Sequence, residues 1–223
     1  MTSGLAMPVS IKTPSATSAT VSELLPAEVE GSRGLILRES LLLFAERGYG
    51  ATTVRDIAER VGMLSGSLYA HFASKETILA ELVQMGMAEH HECLRNALRS
   101  SAPDPRSQLF ALMREHVRFH TLYATLAMVT HAELHVLSAV KAKGARKLRA
   151  QSQQLMREII ERGVALKVFN VPDIEVASAA VSSMGVRVAY WYTPAFHLTA
   201  ETLAEQMAEL ACRLVGAPSP VVA

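Results

Sequence analysis

The stretch from residue 53 to residue 76 constrains the fold more than any other part of the chain. Thr53 can cap a helix, and Asp56 three residues later completes a capping-box pattern. Gly62 supplies the left-handed residue that ends this helix, and a second short helix and a third one capped by Ser74 follow. Two helices joined by a turn of about four residues that contains glycine form a helix-turn-helix, whose second helix enters the major groove of DNA.

Hydrophobic residues recur at helical spacing through the rest of the chain, and proline or glycine interrupts them. Only 5% of the residues are aromatic, and the abundance of Ala, Leu, Met and Glu favours helices over sheets. Including the recognition segment, the predicted helices cover residues 33–47, 53–61, 65–72, 74–100, 106–120, 122–138, 139–167, 173–193 and 199–215. We therefore expect an all-α fold with a three-helix N-terminal head and a larger helical body.

Changes in composition along the chain indicate the boundaries of its parts. Residues 1–30 are rich in Ser, Thr, Ala and Pro without lasting periodicity, which predicts a disordered N-terminal tail. Residues 31–76 form the predicted head and residues 77–217 the predicted body. Residues 218–223 are expected to be a C-terminal tail.

The two cysteines and the hydropathy of the chain indicate where the protein works. Cys93 and Cys212 lie inside helical patterns, which fits free thiols in a reducing cytoplasm better than a disulfide. No uncharged apolar run reaches about 18 residues, so no transmembrane helix is expected. The N-terminus also lacks the charged start and apolar run of a secretory signal. We expect a cytoplasmic protein that does not engage a membrane.

The charge of the chain sets a condition on any binding to DNA. The formal net charge is +1, and residues 31–80 carry six basic and five acidic side chains, again +1. A broad positive field is therefore absent from the predicted head. Affinity for DNA has to come from well-placed phosphate contacts and from a dimer.

Three runs of residues carry a resemblance to a known family. They are Leu-Phe-Ala-Glu-Arg-Gly-Tyr at 43–49, Thr-Thr-Val-Arg-Asp-Ile-Ala at 52–58 and Gly-Ser-Leu-Tyr-Ala-His-Phe-Ala-Ser-Lys-Glu at 66–76, with Val61-Gly62 between the last two. On these residues the stretch 33–80 resembles the DNA-binding domain of TetR-family transcriptional regulators. The resemblance implies a helix-turn-helix DNA-binding domain followed by a helical ligand-binding and dimerisation domain, and it implies a repressor rather than an enzyme.

The resemblance also assigns phosphate-binding positions. Tyr69, His71 and Lys75 match residues that usually bind DNA phosphates in this family. Thr53 opens the first motif helix, where hydroxyl and backbone N–H groups can hold a further phosphate. We expect a mixed role for Tyr69, with its ring packed and its hydroxyl on a phosphate, whereas Phe72 is expected to be core.

Base recognition is expected from fewer side chains. Arg55 matches a position that reads guanine in some members of the family. The start of the recognition helix, which reaches base edges, consists of Leu64, Ser65, Gly66 and Ser67. Leu64 replaces a common Ser or Thr cap, and Ser65 replaces a common Lys, Arg or Pro. Without long polar side chains there, specificity should depend on Arg55, thymine-methyl contacts and DNA shape.

The body is expected to hold the dimer interface. The helices over 173–193 and 199–215 resemble the pair that forms a four-helix bundle between two subunits in this family. Small residues on the first of them allow close approach of a neighbouring helix. A two-fold homodimer would present two heads to a palindromic operator in double-stranded DNA.

The body is also expected to enclose an effector cavity between the helices over 74–100, 106–138 and 139–167. Ten methionines in the chain would give such a cavity adaptable apolar walls. The candidate effector-binding residues are Met85, Phe110, Met113, Val117, Tyr123, Leu126, Met156, Met184, Trp191, Arg146 and Arg149. Most of the apolar ones fit an ordinary core equally well.

A basic run indicates the chemistry of the effector. Lys141, Lys143, Arg146, Lys147 and Arg149 lie in a region without acidic residues. They form either a solvated helix face or a cationic mouth for an anionic group, such as the phosphates of coenzyme A.

A second and narrower resemblance concerns the effector directly. It rests on Gly66-Ser67-Leu68-Tyr69 preceded by Gly62-Met63-Leu64-Ser65, and on Trp191-Tyr192, Leu198-Thr199 and residues 211–216. These residues are similar to those of the TetR subgroup that controls fatty-acid or sterol catabolism. This resemblance implies a small-molecule effector of the acyl-CoA type or another long apolar carboxylic derivative, and no other cofactor.

Two histidine pairs leave one alternative open. His116 and His120, like His131 and His135, are spaced i, i+4 and share a helix face. No Cys or carboxylate has ligand spacing around them, so we predict pocket or surface histidines and no metal site.

No phosphate loop, nucleophile elbow or acid pair indicates catalytic residues. The alternatives are a multidrug- or metal-responsive repressor, or a helical ligand-binding protein or enzyme that does not bind DNA.

Overall fold

The computed structural model describes residues 24–26 and 29–217, and within them the secondary structure is entirely helical. The helices are α1 (Gly31–Arg47), α2 (Val54–Val61), α3 (Ser65–His71), α4 (Lys75–Ser100), α5 (Pro105–Leu122), α6 (Ala124–Glu133), α7 (Ala139–Ala165), α8 (Ile174–Trp191) and α9 (Ala200–Leu214). A 3₁₀ turn over Leu134–Val136 follows α6. The predicted all-α fold is confirmed, and none of the described helices has the length and hydropathy needed to cross a membrane.

One predicted helix was wrong in extent. The sequence pattern predicts a single helix over 122–138, but α6 ends at Glu133 and passes into the 3₁₀ turn. The reason lies in the tertiary contacts of the segment that follows. Leu137 is buried in the core, and the backbone N–H of Ser138 donates to Glu76 Oε1 at 2.9 Å instead of to a helical carbonyl. Apolar periodicity alone does not reveal such a contact.

The predicted N-terminal tail falls mostly outside the described residues. Residues 1–23, 27 and 28 are not described, and neither is the predicted C-terminal tail over 218–223. Leu24 and Leu25 are buried, with 8% and 5% of their surface exposed. These two leucines lie within the predicted tail and pack into the core that the head shares with the body.

Side-chain caps define where most of the helices begin. Thr53 and Asp56 form the predicted capping box: the Thr53 hydroxyl accepts from Asp56 N at 3.1 Å, and Thr53 N donates to Asp56 Oδ2 at 2.7 Å. Other side-chain caps are Ser74 of α4, Asp104 of α5, Asp173 of α8 and Thr199 of α9. Each such cap contributes about 1 kcal/mol to stability. Leu64, which precedes the recognition helix α3, makes no side-chain cap.

The described part of the chain has two large hydrophobic cores, and the boundary between them does not coincide with the boundary of the head. The first core contains the head residues Ile57, Leu68 and Phe72, and it also contains Leu126 and Leu137 from the body. The second core lies among α5, α7, α8 and α9. Helix α4 contributes residues to both cores, so it joins the head to the rest of the body through buried packing.

Polar contacts fasten the body to the head beside this core. Glu76, in the first turn of α4, accepts from the backbone of Ser138 and from Lys141 Nζ, both at 2.9 Å. These donors lower the pKa of Glu76 to about 2. Glu133 at the end of α6 accepts from the backbone N–H of Tyr49 at 3.2 Å. Helices α6 and α7 therefore hold both the start of α4 and the loop before α2.

Two glycines of α7 allow a test of how closely the second core is packed. A Cβ on Gly163 would lie 2.0 Å from the ring of Phe169, which is buried. A Cβ on Gly144 would meet only the end of the Gln84 side chain, 2.6 Å away, and that side chain can move. We predict that Gly163→Ala lowers the free energy of unfolding by about 1–3 kcal/mol through overpacking. We predict that Gly144→Ala leaves it unchanged or raises it by up to about 1 kcal/mol, because alanine favours the helix.

Urea unfolding followed by circular dichroism measures both variants under the same conditions. Equal effects of the two substitutions would contradict the packing described here, since both replace a helical glycine with alanine.

Candidate DNA-binding surface and effector groove

The recognition helix α3 is anchored by two side chains and exposes the others. Leu68 and Phe72 are buried, with 0% and 1% of their surface exposed. Leu64 and Tyr69 are 80% and 54% exposed. Exposure extends to the remaining predicted contact residues of this helix, which are Ser65, Gly66, Ser67 and His71. The structure therefore gathers these predicted contacts on one solvent-facing surface and leaves Phe72 in the core, where it was expected.

Gly66 is not required by packing within the protein. A Cβ at this position would meet no atom within 4 Å, and its backbone has no left-handed dihedral angle. Neither packing nor backbone conformation within the protein requires glycine here. At the exposed start of a recognition helix, the missing side chain leaves room for a nucleic acid backbone to approach closely.

Lys75 has a structural role in this conformation. Its ammonium group donates to the backbone oxygen of Tyr49 at 2.6 Å and to that of Thr52, and it lies 4.0 Å from the centroid of the Tyr49 ring. Burial lowers the pKa of Lys75. Because an ammonium group has three donors, at most one remains for the predicted phosphate contact.

Thr53 and Arg55 lie at the start of α2. The Thr53 hydroxyl is held by Asp56, both as acceptor from the backbone and as donor to Oδ2 at 2.6 Å. The hydrogen bonds from Thr53 lower the pKa of Asp56. Arg55 is exposed beside it. Arg55 is thus placed to reach a ligand outside the protein, whereas the Thr53 hydroxyl is already hydrogen-bonded.

Ion pairs neutralise several basic groups of the head. Arg60 lies 2.7 Å from Glu46 and 3.6 Å from Glu39. Arg33 pairs with Glu81 and donates to the backbone oxygen of His71 at 2.8 Å. These pairs agree with the weak net charge of the head and leave DNA affinity to individual contacts.

The body contains a groove between α7 and α8 with a floor of α4 and α5. Its volume is about 550 Å³, within the range of about 300–1,000 Å³ that is typical of small-molecule sites. The larger apolar side chains of its lining are Met87, Leu94, Leu112, Met156 and Val186. The polar part includes His90, His116, His131, Ser152, Ser182, Arg149, Arg157 and Arg187. An adjoining pocket of about 310 Å³ is lined by Arg146 and Arg149 among others.

The predicted effector-binding residues divide into two sets. Met156 and Arg149 line the groove, and Arg146 lines the adjoining pocket. The remaining eight do not line either of them: Met85, Phe110, Met113, Val117, Tyr123, Leu126, Met184 and Trp191. Seven of these eight pack in or against the two cores. Trp191 is 44% exposed and contacts Tyr192 and Phe196.

Effector binding at these eight positions stays a prediction, although none of them lines the groove or the adjoining pocket. Their prediction rests on their being apolar and on helices, which is equally true of core residues. Most of them pack in or against one of the two cores. The basic side chains that reach the groove, Arg149, Arg157 and Arg187, belong to α7 and α8. Arg157 is partly neutralised, because its Nε lies 2.7 Å from Glu161 and its Nη1 pairs with Glu175.

Four histidines lie close together beside the groove, and three of them, His90, His116 and His131, line it. His90 Nε2 lies 2.8 Å from His116 Nδ1, and His120 Nε2 lies 3.2 Å from His131 Nε2. His116 Nε2 lies 3.0 Å from the backbone oxygen of Ser182, and His120 Nδ1 lies 2.7 Å from that of His116. Since only a nitrogen that carries hydrogen can donate to a carbonyl, these two contacts fix the tautomers of His116 and His120 when the rings are neutral.

Burial keeps these imidazoles uncharged at neutral pH. Loss of solvent is the largest cause that lowers the pKa of His90, His116 and His120 below the ordinary value. Burial and the nearby charge of Arg149 lower the pKa of His131 to about 4. The ligating nitrogens of His90, His116 and His120 all lie within 4.8 Å of one another, so these three residues could hold a metal ion.

His90 and Ser182 were missed in the sequence. His90 lies 26 residues from its partner His116 and on another helix, so i, i+4 spacing cannot connect the two. Ser182 takes part through its backbone oxygen, which no side-chain pattern records. The repeated His90-His91 on α4 was the one available signal.

Both cysteines are free thiols in the described structure. Burial is the main cause that raises the pKa of Cys93 to about 12 and that of Cys212 to about 11. Neither residue has the low pKa that a reactive thiolate needs.

The buried scaffold of α1 and α2 and the exposed surface of α3, joined to a helical body with a groove, define a helix-turn-helix DNA-binding regulator. Residues 36–82 match the family model of bacterial regulatory proteins of the tetR family. Residues 102–215 match the model of the tetracyclin repressor-like C-terminal domain. The chain belongs to the TetR family, and it is a ligand-responsive DNA-binding repressor. The family consists of transcriptional regulators rather than enzymes.

Relatives and solved structures agree with this assignment. The transcriptional repressor KstR2 of Rhodococcus jostii RHA1 is 31% identical over 192 residues, which cover 85% of this chain and 93% of the relative. KstR2 of Mycobacterium tuberculosis H37Rv is 32% identical over 186 residues, with coverages of 80% and 90%. The structure of the ketosteroid transcriptional regulator KstR2 of M. tuberculosis covers 86% of this chain and 97% of its own, with a TM-score of 0.76 and 28% identity.

Proposed function

We propose that the protein binds a palindromic operator as a homodimer and is released from it by an apolar carboxylic effector of the acyl-CoA type. The proposed binding to DNA rests on one observation, the exposed side chains of two helices. They are those of α3 and its preceding residue, between Leu64 and His71, and that of Arg55 at the start of α2. Tyr69, His71 and Lys75 bind phosphates, and Arg55 reads a base. The protein works in the cytoplasm, where bacterial DNA lies.

The proposed dimer interface is the outer surface of α8 and α9. Val176 on α8 is 66% exposed, and Leu210 and Leu214 on α9 are 49% and 42% exposed. The end of α9 lies beside the start of α8, because Asn170 N donates to the backbone oxygen of Val215 at 2.9 Å. The three apolar side chains therefore stand at one end of the same helix pair, and a two-fold partner would cover them.

The groove supports the effector part of the proposal. Its apolar residues, such as Met87 and Met156, offer contact to an aliphatic or ring system. Arg149 and Arg187 stand at the polar side and can pair with phosphates or a carboxylate. The relative whose structure is described as a ketosteroid transcriptional regulator adds support for a sterol-derived acyl group. A cationic drug is disfavoured by the same arginines.

The effector would act through α6 and α7, the helices that contact both groove and head. His131 and Arg149 line the groove, and two residues beyond His131 the carboxylate of Glu133 holds the loop at Tyr49. Ligand that shifts α6 or α7 would displace Glu133 and Lys141 from the head. The spacing of two heads in a dimer would then no longer match the DNA, and repression would end by a population shift.

The DNA contacts are tested by three variants and the protein's own upstream DNA. We predict that Tyr69→Phe weakens binding to all sequences alike, because it removes a phosphate contact from an exposed side chain. Arg55→Ala should cost about 1–3 kcal/mol and relax the sequence preference. Glu59→Ala, an exposed position on α2, serves as the control and should not weaken binding. Mobility-shift titrations with operator and scrambled DNA measure both effects. An unchanged preference in Arg55→Ala would remove the base-reading role.

The dimer interface is tested by placing charge on its apolar side chains. We predict that Leu210→Glu with Leu214→Glu shifts the protein toward monomers, because burying two carboxylates costs several kcal/mol. Leu166→Glu is the matched control, since Leu166 is 59% exposed at the end of α7. Light scattering during gel filtration gives the mass of each species. A dimer that persists in the double variant would place the interface elsewhere.

The effector site is tested by calorimetry with a series of acyl-CoA thioesters. We predict that wild-type protein binds at least one of them, that Arg149→Gln weakens this binding about tenfold, and that bound ligand releases operator DNA. Lys143→Gln, an exposed position on α7 outside the groove lining, should bind normally. Absence of binding to any acyl-CoA by protein that still binds DNA would exclude this class of effector.

A further inference from the structure

The four histidines beside the groove come from three different helices. His90 belongs to α4, His116 and His120 to α5, and His131 to α6. They form two close nitrogen pairs, His90 Nε2 with His116 Nδ1 at 2.8 Å and His120 Nε2 with His131 Nε2 at 3.2 Å. His116 and His120 are buried, and His90 and His131 are half-buried. Four imidazoles in such a place need an explanation, because removing polar groups from water is unfavourable.

We propose that this cluster is a binding site for a late first-row divalent metal ion, and we compare its geometry with that of a Zn²⁺ site. His90, His116 and His120 are the three central ligands. His131 is hydrogen-bonded to His120 but lies outside this group of three, so it would have to shift toward the ion to become the fourth ligand. Ligands at about 2.0–2.1 Å from a tetrahedral Zn²⁺ lie about 3.3 Å from one another. The observed nitrogen pairs are within half an ångström of that separation, and the three central nitrogens lie within 4.8 Å.

The hydrogen bonds behind the rings support this assignment. Histidines that bind metals usually donate their other N–H to a carbonyl or carboxylate, which fixes the tautomer and aims the free nitrogen at the metal. His116 does this through Nε2 to Ser182 O at 3.0 Å, and His120 through Nδ1 to His116 O at 2.7 Å. The nitrogens left with lone pairs, His116 Nδ1 and His120 Nε2, are those that face His90 and His131.

Packing around the cluster makes room for the central ring. A Cβ on Gly185 of α8 would lie 2.1 Å from Cδ2 of His116. Only glycine therefore lets the His116 ring lie against the backbone of α8, where it reaches Ser182. The position of the ring is set by the main chain of another helix, which gives the site the rigidity that a metal centre needs.

The chemistry of the donors narrows the ion. Imidazole nitrogens suit Zn²⁺, Cu²⁺, Ni²⁺ and Co²⁺, whereas Mg²⁺ and Ca²⁺ require oxygen ligands. Without metal, the same rings satisfy one another as neutral hydrogen-bonded pairs, in which His90 and His131 donate. On metal binding these two rings would have to present a lone pair instead, which a change of tautomer achieves without loss of a proton.

The proposal is tested by measuring the binding of metal ions to the untagged protein after treatment with a chelator. Equilibrium dialysis with elemental analysis should find one Zn²⁺ or Co²⁺ per chain and no bound Mg²⁺. Bound Co²⁺ should show the visible absorption of a tetrahedral site, and Zn²⁺ should raise the melting temperature. This test uses neither DNA nor an effector, so its outcome does not depend on the proposed function. Absence of binding, or a six-coordinate Co²⁺ spectrum, would overturn the proposal.

Variants locate the ion. His90→Gln and His120→Gln should each weaken Co²⁺ binding by at least about tenfold. Removing even an outer-shell partner of a metal ligand typically lowers metal affinity by about 10–100-fold, and a ligand itself should cost no less. His197→Gln is the control, because His197 is exposed outside the cluster. Operator binding and circular dichroism establish that each variant is folded. If one ligand variant does not fold, the other decides the question, and an affinity unchanged in a folded ligand variant would place the ion outside the cluster.

Discussion

The structure depends on helix α4, because this one helix is packed in both hydrophobic cores. Its first half buries Ile78, Leu79, Leu82 and Val83 in the core shared with the head, and Leu94 near its other end belongs to the second core. Full burial of each such side chain contributes about 1.5–3 kcal/mol. The head therefore cannot turn freely on a flexible joint. Any signal from the groove has to move α4, or move the helices that set its position, as packed bodies.

The polar contacts beside α4 are of a different strength. Glu76, Glu133 and Lys141 are partly exposed, and pairs of this kind are worth about 0–1 kcal/mol each. They cannot hold the head against the buried packing, but they can bias its position. Allosteric coupling typically amounts to about 1–3 kcal/mol. An effector that pulls α6 and α7 away from these contacts thus works against interactions of comparable size, while the core stays intact.

Local chemistry made most of the fold predictable, and long-range contacts made the groove unpredictable. The two ends of α2 are predicted by nearby residues, Thr53 and Asp56 at its start and Gly62 at its end. The structure contains these caps as expected. The end of α6 was missed because Ser138 bonds to Glu76, 62 residues away. Met113 and Val117 were expected in the effector site and lie in the core, since apolar periodicity shows that a side chain is inside without showing which neighbours it meets.

Close contacts between neighbouring helices of the body limit how the groove can respond to a ligand. A Cβ on Gly86 of α4 would lie 3.0 Å from the Thr130 hydroxyl of α6, and Gly185 of α8 leaves no space between its backbone and His116 of α5. Packed interiors resist compression, so α4 and α6, and likewise α5 and α8, cannot move closer together at these points. The open side between α7 and α8 is where the groove can widen. Because α7 also carries Lys141, which holds Glu76 at the start of α4, widening the groove would act directly on the contact that positions the head.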